Sequence, residues 1–280
     1  MITINILVTL DANYIKPLKI MLTSLFNNNP DSDFTVYLIH SSLSSGEIKE
    51  IASFIGIFGQ QFEAINIEAK QFDTSPTHMH YTKEMYYRLL AYQFLPTDLD
   101  RVLYLDPDIL VINSIKELYN TNIDDYLFAA ASHDILKATE INKIRFFSIE
   151  MEAYYNTGVL LMNLVSIRQE INEEDILTFI NKYQQLLILP DQDVINGLYS
   201  SRILGIDEKV YNYDARYYTL YKLSSKNLWD MDQVIFNTVI LHFCGKKKPW
   251  NKNYSGDFHS LYKHYEKQTN ELITNHRVGL

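Results

Sequence analysis

Cysteine is almost missing from this chain. Cys244 is the single one in 280 residues, so no internal disulfide framework can hold the fold. Glycine is scarce at nine residues, and no glycine-rich, Arg- and Lys-bearing loop opens the chain, which argues against a sugar nucleotidyltransferase. No apolar run approaches the roughly 20 residues of a membrane span. No charged segment followed by an apolar one precedes the first strand-like run, so a cytoplasmic protein is expected. Positive charge is in deficit. The net charge is −9 with no long basic tract, so no nucleic-acid partner is expected, and an anionic ligand would need local cations or a metal. Repeats, low-complexity segments and linkers are absent as well. The length and the ordinary apolar fraction suit one domain with a sizeable core.

What is present centres on RVLYLDPDILVI, residues 101–112. Val102 to Leu105 form a short, bulky apolar run that suits a strand buried on both faces. Asp106, Pro107 and Asp108 follow, and the chain turns apolar again. Two carboxylates at the end of a buried strand are costly unless a cation meets them. Pro107 fixes its own φ and biases Asp106 towards extended geometry, so both acids can point at one spot. Such oxygen ligands suit a hard divalent cation. The alternative is a strand ending in an Asp-Pro turn with both acids in water.

The pattern before this stretch is strand, helix, strand, helix, strand: strands over 2–10, 34–40 and 62–67, and helices to about Phe26 and Phe54. Ser44 and Glu47 have the spacing of a capping box. That alternation predicts a parallel α/β sheet, in which ligands bind beyond the carboxyl ends of the strands. Asp11 and Asn13 lie just past the first strand, and Asp134 just past a strand over 127–131. A helical pattern over 83–95 carries Arg88, either a surface charge or an arginine that reaches a phosphate or an acid of the site. Asn156-Thr157-Gly158 is a polar turn that feeds a buried run. Further helices are expected over 172–187 and 191–199, with Asp191 as a possible N-cap, and a terminal helix from about Asn253. A last strand over 239–243 contains His242, which is either a core residue or a metal ligand beside the basic loop Gly245 to Lys248. Cys244 reads as a structural thiol rather than a nucleophile. Trp250 caps the pocket or packs the loop.

Five segments in this order carry a resemblance: DANY at 11–14, YLDPD at 104–108, YYNTGVLLMNL at 154–164, PDQDVING at 190–197 and HFCGKKKPW at 242–250. Together they resemble glycosyltransferase family 8, the retaining GT-A transferases, across nearly the whole chain from Thr9 to Trp250. The fold this implies is α/β, GT-A type: a Rossmann-like, mostly parallel central sheet flanked by helices. It would form a single domain over 1–252, with a helical extension over 253–280 packed on or beside it.

By the resemblance, Asp106, Asp108 and His242 are expected to hold Mn²⁺, with Mg²⁺ as the alternative. Thr9, Asp11, Asn13 and Tyr14 are expected to form the nucleotide pocket, with Lys83 nearby where relatives often carry an apolar residue. Arg88, Asn156, Thr157, Gly158 and Gln192 would surround the donor sugar, with Asp191 beside them. Gly245 and Lys248 would contact the diphosphate, and Asp134 would stand where donor sugar and acceptor meet. The activity implied is transfer of a hexose, glucose or galactose, from a UDP-sugar to a hydroxyl of a glycan, glycolipid or glycoprotein, with retention. The basic, aromatic extension that anchors some relatives to membranes is not evident. Rival readings are a non-catalytic sugar-nucleotide-binding protein and a haloacid-dehalogenase-type phosphatase. The phosphatase class wants Thr or Val where Leu110 stands, and an acidic pair near the N-terminus.

Overall fold

The structure, a computed structural model, describes residues 3–67, 87–132, 140–142, 151 and 153–278. Its centre is β4 (Arg101–Leu105), whose residues 102–105 are completely buried. Successive strand side chains point to opposite faces. Val102 and Tyr104 therefore enter one apolar cluster, and Leu103 and Leu105 enter the other. β1 (Thr3–Thr9) divides in the same way, with Leu7 on the first side and Ile4, Ile6 and Val8 on the second. The run expected to be buried on both faces is so buried.

Seven strands form the main sheet in the order β3-β2-β1-β4-β7-β6-β8. The remaining members are β2 (Asp33–His40), β3 (Gln61–Asn66), β6 (Phe128–Ala131), β7 (Val159–Asn163) and β8 (Ile203–Ile206). Only β7 runs against the others, pairing antiparallel with both β4 and β6. Helices α1 (Ile15–Asn27) and α2 (Ser45–Ile57) cover one face, burying Leu18, Leu22 and Phe54. The expected capping box of Ser44 and Glu47 opens α2. Helices α3 (Glu173–Tyr183) and α4 (Pro190–Tyr199) cover the other face through Ile176, Phe179 and Val194. The helix expected over 172–187 is thus shorter. Asn172 caps it, and Gln184 ends it before the exposed run that contains Leu186, Ile188 and Leu189.

Chain order places the site. From β1 the chain steps outward to β2 and β3, then returns to β4 on the other side of β1. The sheet's strand order reverses there, and the carboxyl ends of β1 and β4 at such a reversal are the usual ligand position in these sheets. A second, three-stranded sheet, β5-β10-β9, lies beside it, built from β5 (Ile109–Val111), β9 (Tyr213–Asp214) and β10 (Ile240–His242). Among the described residues no helix is long and apolar enough to cross a membrane.

Helix α5 (His259–Val278) lies along α1. Thr23 and Thr269 share a hydroxyl hydrogen bond of 2.8 Å, Tyr265 Oη accepts from Asn28 Nδ2 at 2.8 Å, and Glu266 pairs with Lys16 at 2.6 Å. Tyr262 is buried with its ring 5.5 Å from Phe243 and 6.0 Å from Trp250. The terminal helix therefore packs behind the loop that follows β10. Tyr262→Ala should lower the unfolding free energy by about 3 kcal/mol, read from the denaturant midpoint at unchanged slope. A loss below about 0.5 kcal/mol, the level of an ordinary surface substitution, would show that α5 merely rests on the domain.

Candidate functional site

Backbone pairing assembles the site from distant segments. The β4–β7 ladder sets Leu105 opposite Val159 and continues as Asp106 N–H to Gly158 O at 2.8 Å. The β5–β10 ladder sets His242 opposite Ile109 and continues as Phe243 N–H to Asp108 O at 3.0 Å. Gly158 and His242 are thereby fixed beside the two acids that leave β4.

Asp106, Asp108 and His242 each aim a ligand atom at one space, all within 4.8 Å of one another. His242 Nε2 is 3.4 Å from Asp108 Oδ1 and 3.8 Å from Asp106 Oδ2. Asp108 and His242 are buried, at 6% and 3% exposure. A Cβ on Gly158 would lie 2.3 Å from His242 Cε1 and 2.6 Å from Asp106 Oδ2, so only glycine leaves that corner open. Pro107 is buried between the two acids.

Cations meet these carboxylates. Lys248 Nζ bonds Asp108 Oδ2 and donates to Phe243 O at 2.9 Å. Arg88 Nη2 donates to Asp106 Oδ1 at 2.6 Å and to Tyr104 Oη at 2.5 Å. Its Nη1 donates to Asp191 Oδ2 at 2.5 Å and to Thr157 Oγ1 at 3.0 Å. Tyr104 Oη in turn donates to Asp106 Oδ1 at 2.6 Å and shares a 3.2 Å hydrogen bond with Thr9 Oγ1. Burial would raise the Asp108 carboxyl, but His242 and Lys248 beside it hold it below the usual carboxylate range. Burial likewise opposes charge on His242, yet the acidic groups around it hold its pKa well above the ordinary value. Burial also lifts the Cys244 thiol, so Cys244 is a neutral thiol near pH 7 and Asp108 is the partner that charges His242.

The polar turn before β7 and the start of α4 form the next wall. Asn196 grips the Tyr155 backbone, accepting from its N–H at 2.6 Å and donating to its carbonyl at 2.8 Å. One turn earlier on α4, Gln192 Oε1 accepts from Asn156 Nδ2 at 3.3 Å and from Thr157 N–H at 3.4 Å. Asp191 is not the cap of α4. Leu189 occupies that position, Asp193 Oδ2 accepts from the N–H groups of Ile188 and Leu189, and Arg88 engages Asp191. Past β1, Asp11 Oδ1 accepts from Asn13 N–H at 2.8 Å, making a tight Asx turn. Tyr14 presents an edge-on contact to Trp250, with centroids 5.9 Å apart. Gly245 has φ +82, and a Cβ there would lie 2.7 Å from Arg216 Nη1.

Lys83 and Asp134 lie outside the described residues. Sequence reasoning gave no role to Tyr104, Asn212, Asp214 or Arg216. Asn212 Oδ1 meets His242 Nδ1 at 2.9 Å, and buried Asp214 holds the Arg216 guanidinium through Nε and Nη2. Their one signal was the polar pair Asn212 and Asp214 flanking a tyrosine, and nothing local tied that pair to His242.

Two outcomes follow from this geometry. A divalent cation held by these three donors, with Mn²⁺ as the probe, should bind on the order of tenfold more weakly in Gly158→Ala by calorimetry, because His242 and Asp106 must move apart; unchanged affinity would mean that the turn yields to the new methyl. Protons and a metal also compete for His242 Nε2. Because the His242 pKa is raised, Mn²⁺ affinity should climb with pH through neutrality and beyond, with proton release on binding. His242→Ala should flatten that climb, and parallel titrations in two buffers of different ionisation heat count the proton.

Known proteins resemble this chain throughout. General stress protein A of Bacillus subtilis (strain 168) is 26% identical over 271 residues, 92% of this chain and 91% of its own length. Lipopolysaccharide 1,2-glucosyltransferase of Escherichia coli (strain K12) is 26% identical over 251 residues, 89% of this chain and 73% of its own. The crystal structure of galactosyltransferase LgtC in complex with donor and acceptor sugar analogs superposes with a TM-score of 0.78 at 22% identity, covering 95% of this chain and 96% of that one. The fold is therefore of the GT-A type. The model of "Glycosyl transferase family 8" matches residues 5–254, and the chain belongs to that family of glycosyltransferases.

Proposed function

We propose that this glycosyltransferase moves a hexose, glucose or galactose, from a UDP-sugar to a hydroxyl of a glycan or glycoconjugate, with retention at the anomeric carbon. The convergence of Asp106, Asp108 and His242 at the β1/β4 crevice carries this reading, with Lys248 beside them. These donors fit a metal. Two hard carboxylate oxygens and one imidazole nitrogen face a common space, and Gly158 keeps its wall free of a Cβ. Carboxylates alone would suit Mg²⁺ nearly as well; the nitrogen ligand favours Mn²⁺. When bound there, the metal would supply positive charge for the departing diphosphate.

This chain's residues would do the rest. Lys248 is held at the rim by Asp108 and the Phe243 carbonyl, where its ammonium can face developing charge on the leaving group. Gly245 and its neighbouring amides would admit the diphosphate closely. Tyr14 would stack on uracil, with Asp11, Asn13, Thr9 and Lys83 around the nucleoside. Asn156, Thr157, Gly158 and Gln192 would line the hexose, and Asp134 would stand at the acceptor side. Retention through a covalent intermediate requires a carboxylate nucleophile. Gln192 is an amide, and Arg88 occupies Asp191. We therefore favour a front-side reaction in which the acceptor proton passes to the leaving phosphate oxygen.

The test is turnover of radiolabelled UDP-glucose, UDP-galactose and UDP-N-acetylglucosamine with Mn²⁺, followed by analysis of the released or transferred anomer. One of these donors should be consumed with retention, and UDP should bind far more tightly than ADP or GDP. Equal affinity for the three nucleotides, or binding without turnover in the presence of hydroxyl acceptors, would sink the proposal.

A further inference from the structure

Asn212 lies just before β9 and is completely buried. The β9–β10 pairing sets Leu241 opposite Tyr213, which brings Asn212 up behind His242. Its side chain bridges two parts of the site. Oδ1 is 2.9 Å from His242 Nδ1, and Nδ2 donates to Asn156 Oδ1 at 2.9 Å. Asn156 Nδ2 then donates to Gln192 Oε1 at 3.3 Å. An unbroken line of side-chain contacts thus runs from the metal corner to the sugar-side amide.

The direction of every bond in this line follows from one backbone group. Gly158 N–H can only donate, and it donates to Asn156 Oδ1 at 2.9 Å. That fixes the Asn156 amide with its oxygen towards Gly158 and Asn212, and its nitrogen towards Gln192. The Asn212 group facing the Asn156 oxygen must then be Nδ2, so Oδ1 faces His242. An acceptor at that place requires Nδ1 of His242 to carry the hydrogen. Nε2, the nitrogen aimed at Asp106 and Asp108, is consequently the one whose lone pair a metal can take. At the far end Gln192 Oε1 accepts from Asn156 Nδ2 and from Thr157 N–H, so the amide hydrogens of Nε2 are what Gln192 has to donate.

We propose that Asn212 is a positioning residue that acts on both ends of the site at once: it carries the polarity set at Gly158 to the metal-ligating nitrogen of His242, and it steadies the Asn156 amide that donates to Gln192. This rests on the metal-dependent transferase reading above.

The substitutions Asn212→Ala and Asn212→Asp separate the two ends. Alanine removes both contacts, so Mn²⁺ affinity without nucleotide and turnover of the UDP-sugar should each fall on the order of tenfold. Aspartate keeps an acceptor for His242 Nδ1 but sets an oxygen against Asn156 Oδ1. Mn²⁺ affinity should then stay within about threefold of wild type while turnover falls about tenfold, with the fall in kcat rather than in KM. Melting temperatures of the metal-free variants accompany both measurements. If the alanine variant does not fold, the aspartate variant alone decides. Equal losses of Mn²⁺ affinity and turnover in the aspartate variant, or no loss in either, would overturn the inference while leaving the transferase reading intact. A wild type that neither binds Mn²⁺ nor turns over a UDP-sugar would bring down both.

Discussion

Two carboxylates held at the end of a buried strand set the terms for everything around them. Burying a carboxylate without a partner costs several kcal/mol, and the usual escape is protonation or a turn towards water. Here Asp106 keeps part of its side chain exposed, while Asp108 is buried. Arg88 comes from one segment, His242 and Lys248 from β10 and the loop after it, and they meet Asp106 and Asp108 with charge and hydrogen bonds. The result holds Asp108 below the ordinary carboxylate range in spite of its burial. Asp108 is buried and needs those partners to stay charged, so β10 and its loop are tied to the end of β4 by charge as well as by packing.

Strand register delivers those partners. A one-residue slip in a sheet turns every side chain to the opposite face. At β10 such a slip would carry His242 away from Asp108 and take Leu241 out of the third apolar cluster, where it packs with Tyr213 and Phe243. The apolar alternation that holds the small sheet in place therefore also holds the ligand in place. The same is true of β7, where Val159 and Leu161 pack on one face and Leu160 and Met162 on the other, pinning Gly158 next to Asp106. Core packing and site geometry are here one constraint, which explains how a site drawn from five stretches of chain can keep fixed distances.

Local chemistry was legible in the sequence, and long-range pairing was not. The buried run of β4, the acidic pair after it, the Ser44–Glu47 capping box and the succession of parallel strands all depend on residues close in sequence. Asn212 acquires its place only when β9 pairs with β10, whereas Tyr104–Asp106 and Asp214–Arg216 are contacts two residues apart that no local pattern ties to the site. Asp191 shows how a local rule gives way. Its position favours a cap, but a guanidinium from another segment claims its carboxylate and Asp193 takes over the free N–H groups. The resemblance to the family supplied what pattern alone could not, since it linked His242 to Asp106 across more than a hundred residues before any coordinates did.

Arg88 joins the acid pair that follows β4 to the start of α4. Its two terminal nitrogens divide between Asp106 and Asp191, and its guanidinium carbon sits 4.1 Å from the centre of the Tyr104 ring. One cation therefore serves two acids, and the tyrosine hydroxyl reinforces its hold on Asp106. A carboxylate engaged at 2.5 Å by a guanidinium has its charge stabilised where it is and is a poorer nucleophile for that reason. The residue next to it on α4 is Gln192, whose carbonyl oxygen is already occupied by two N–H donors. One oxygen of Asp191 and the carbonyl oxygen of Gln192 thus already accept hydrogen bonds from the protein. This wall can orient a sugar and donate hydrogen bonds, and it is ill suited to attacking an anomeric carbon.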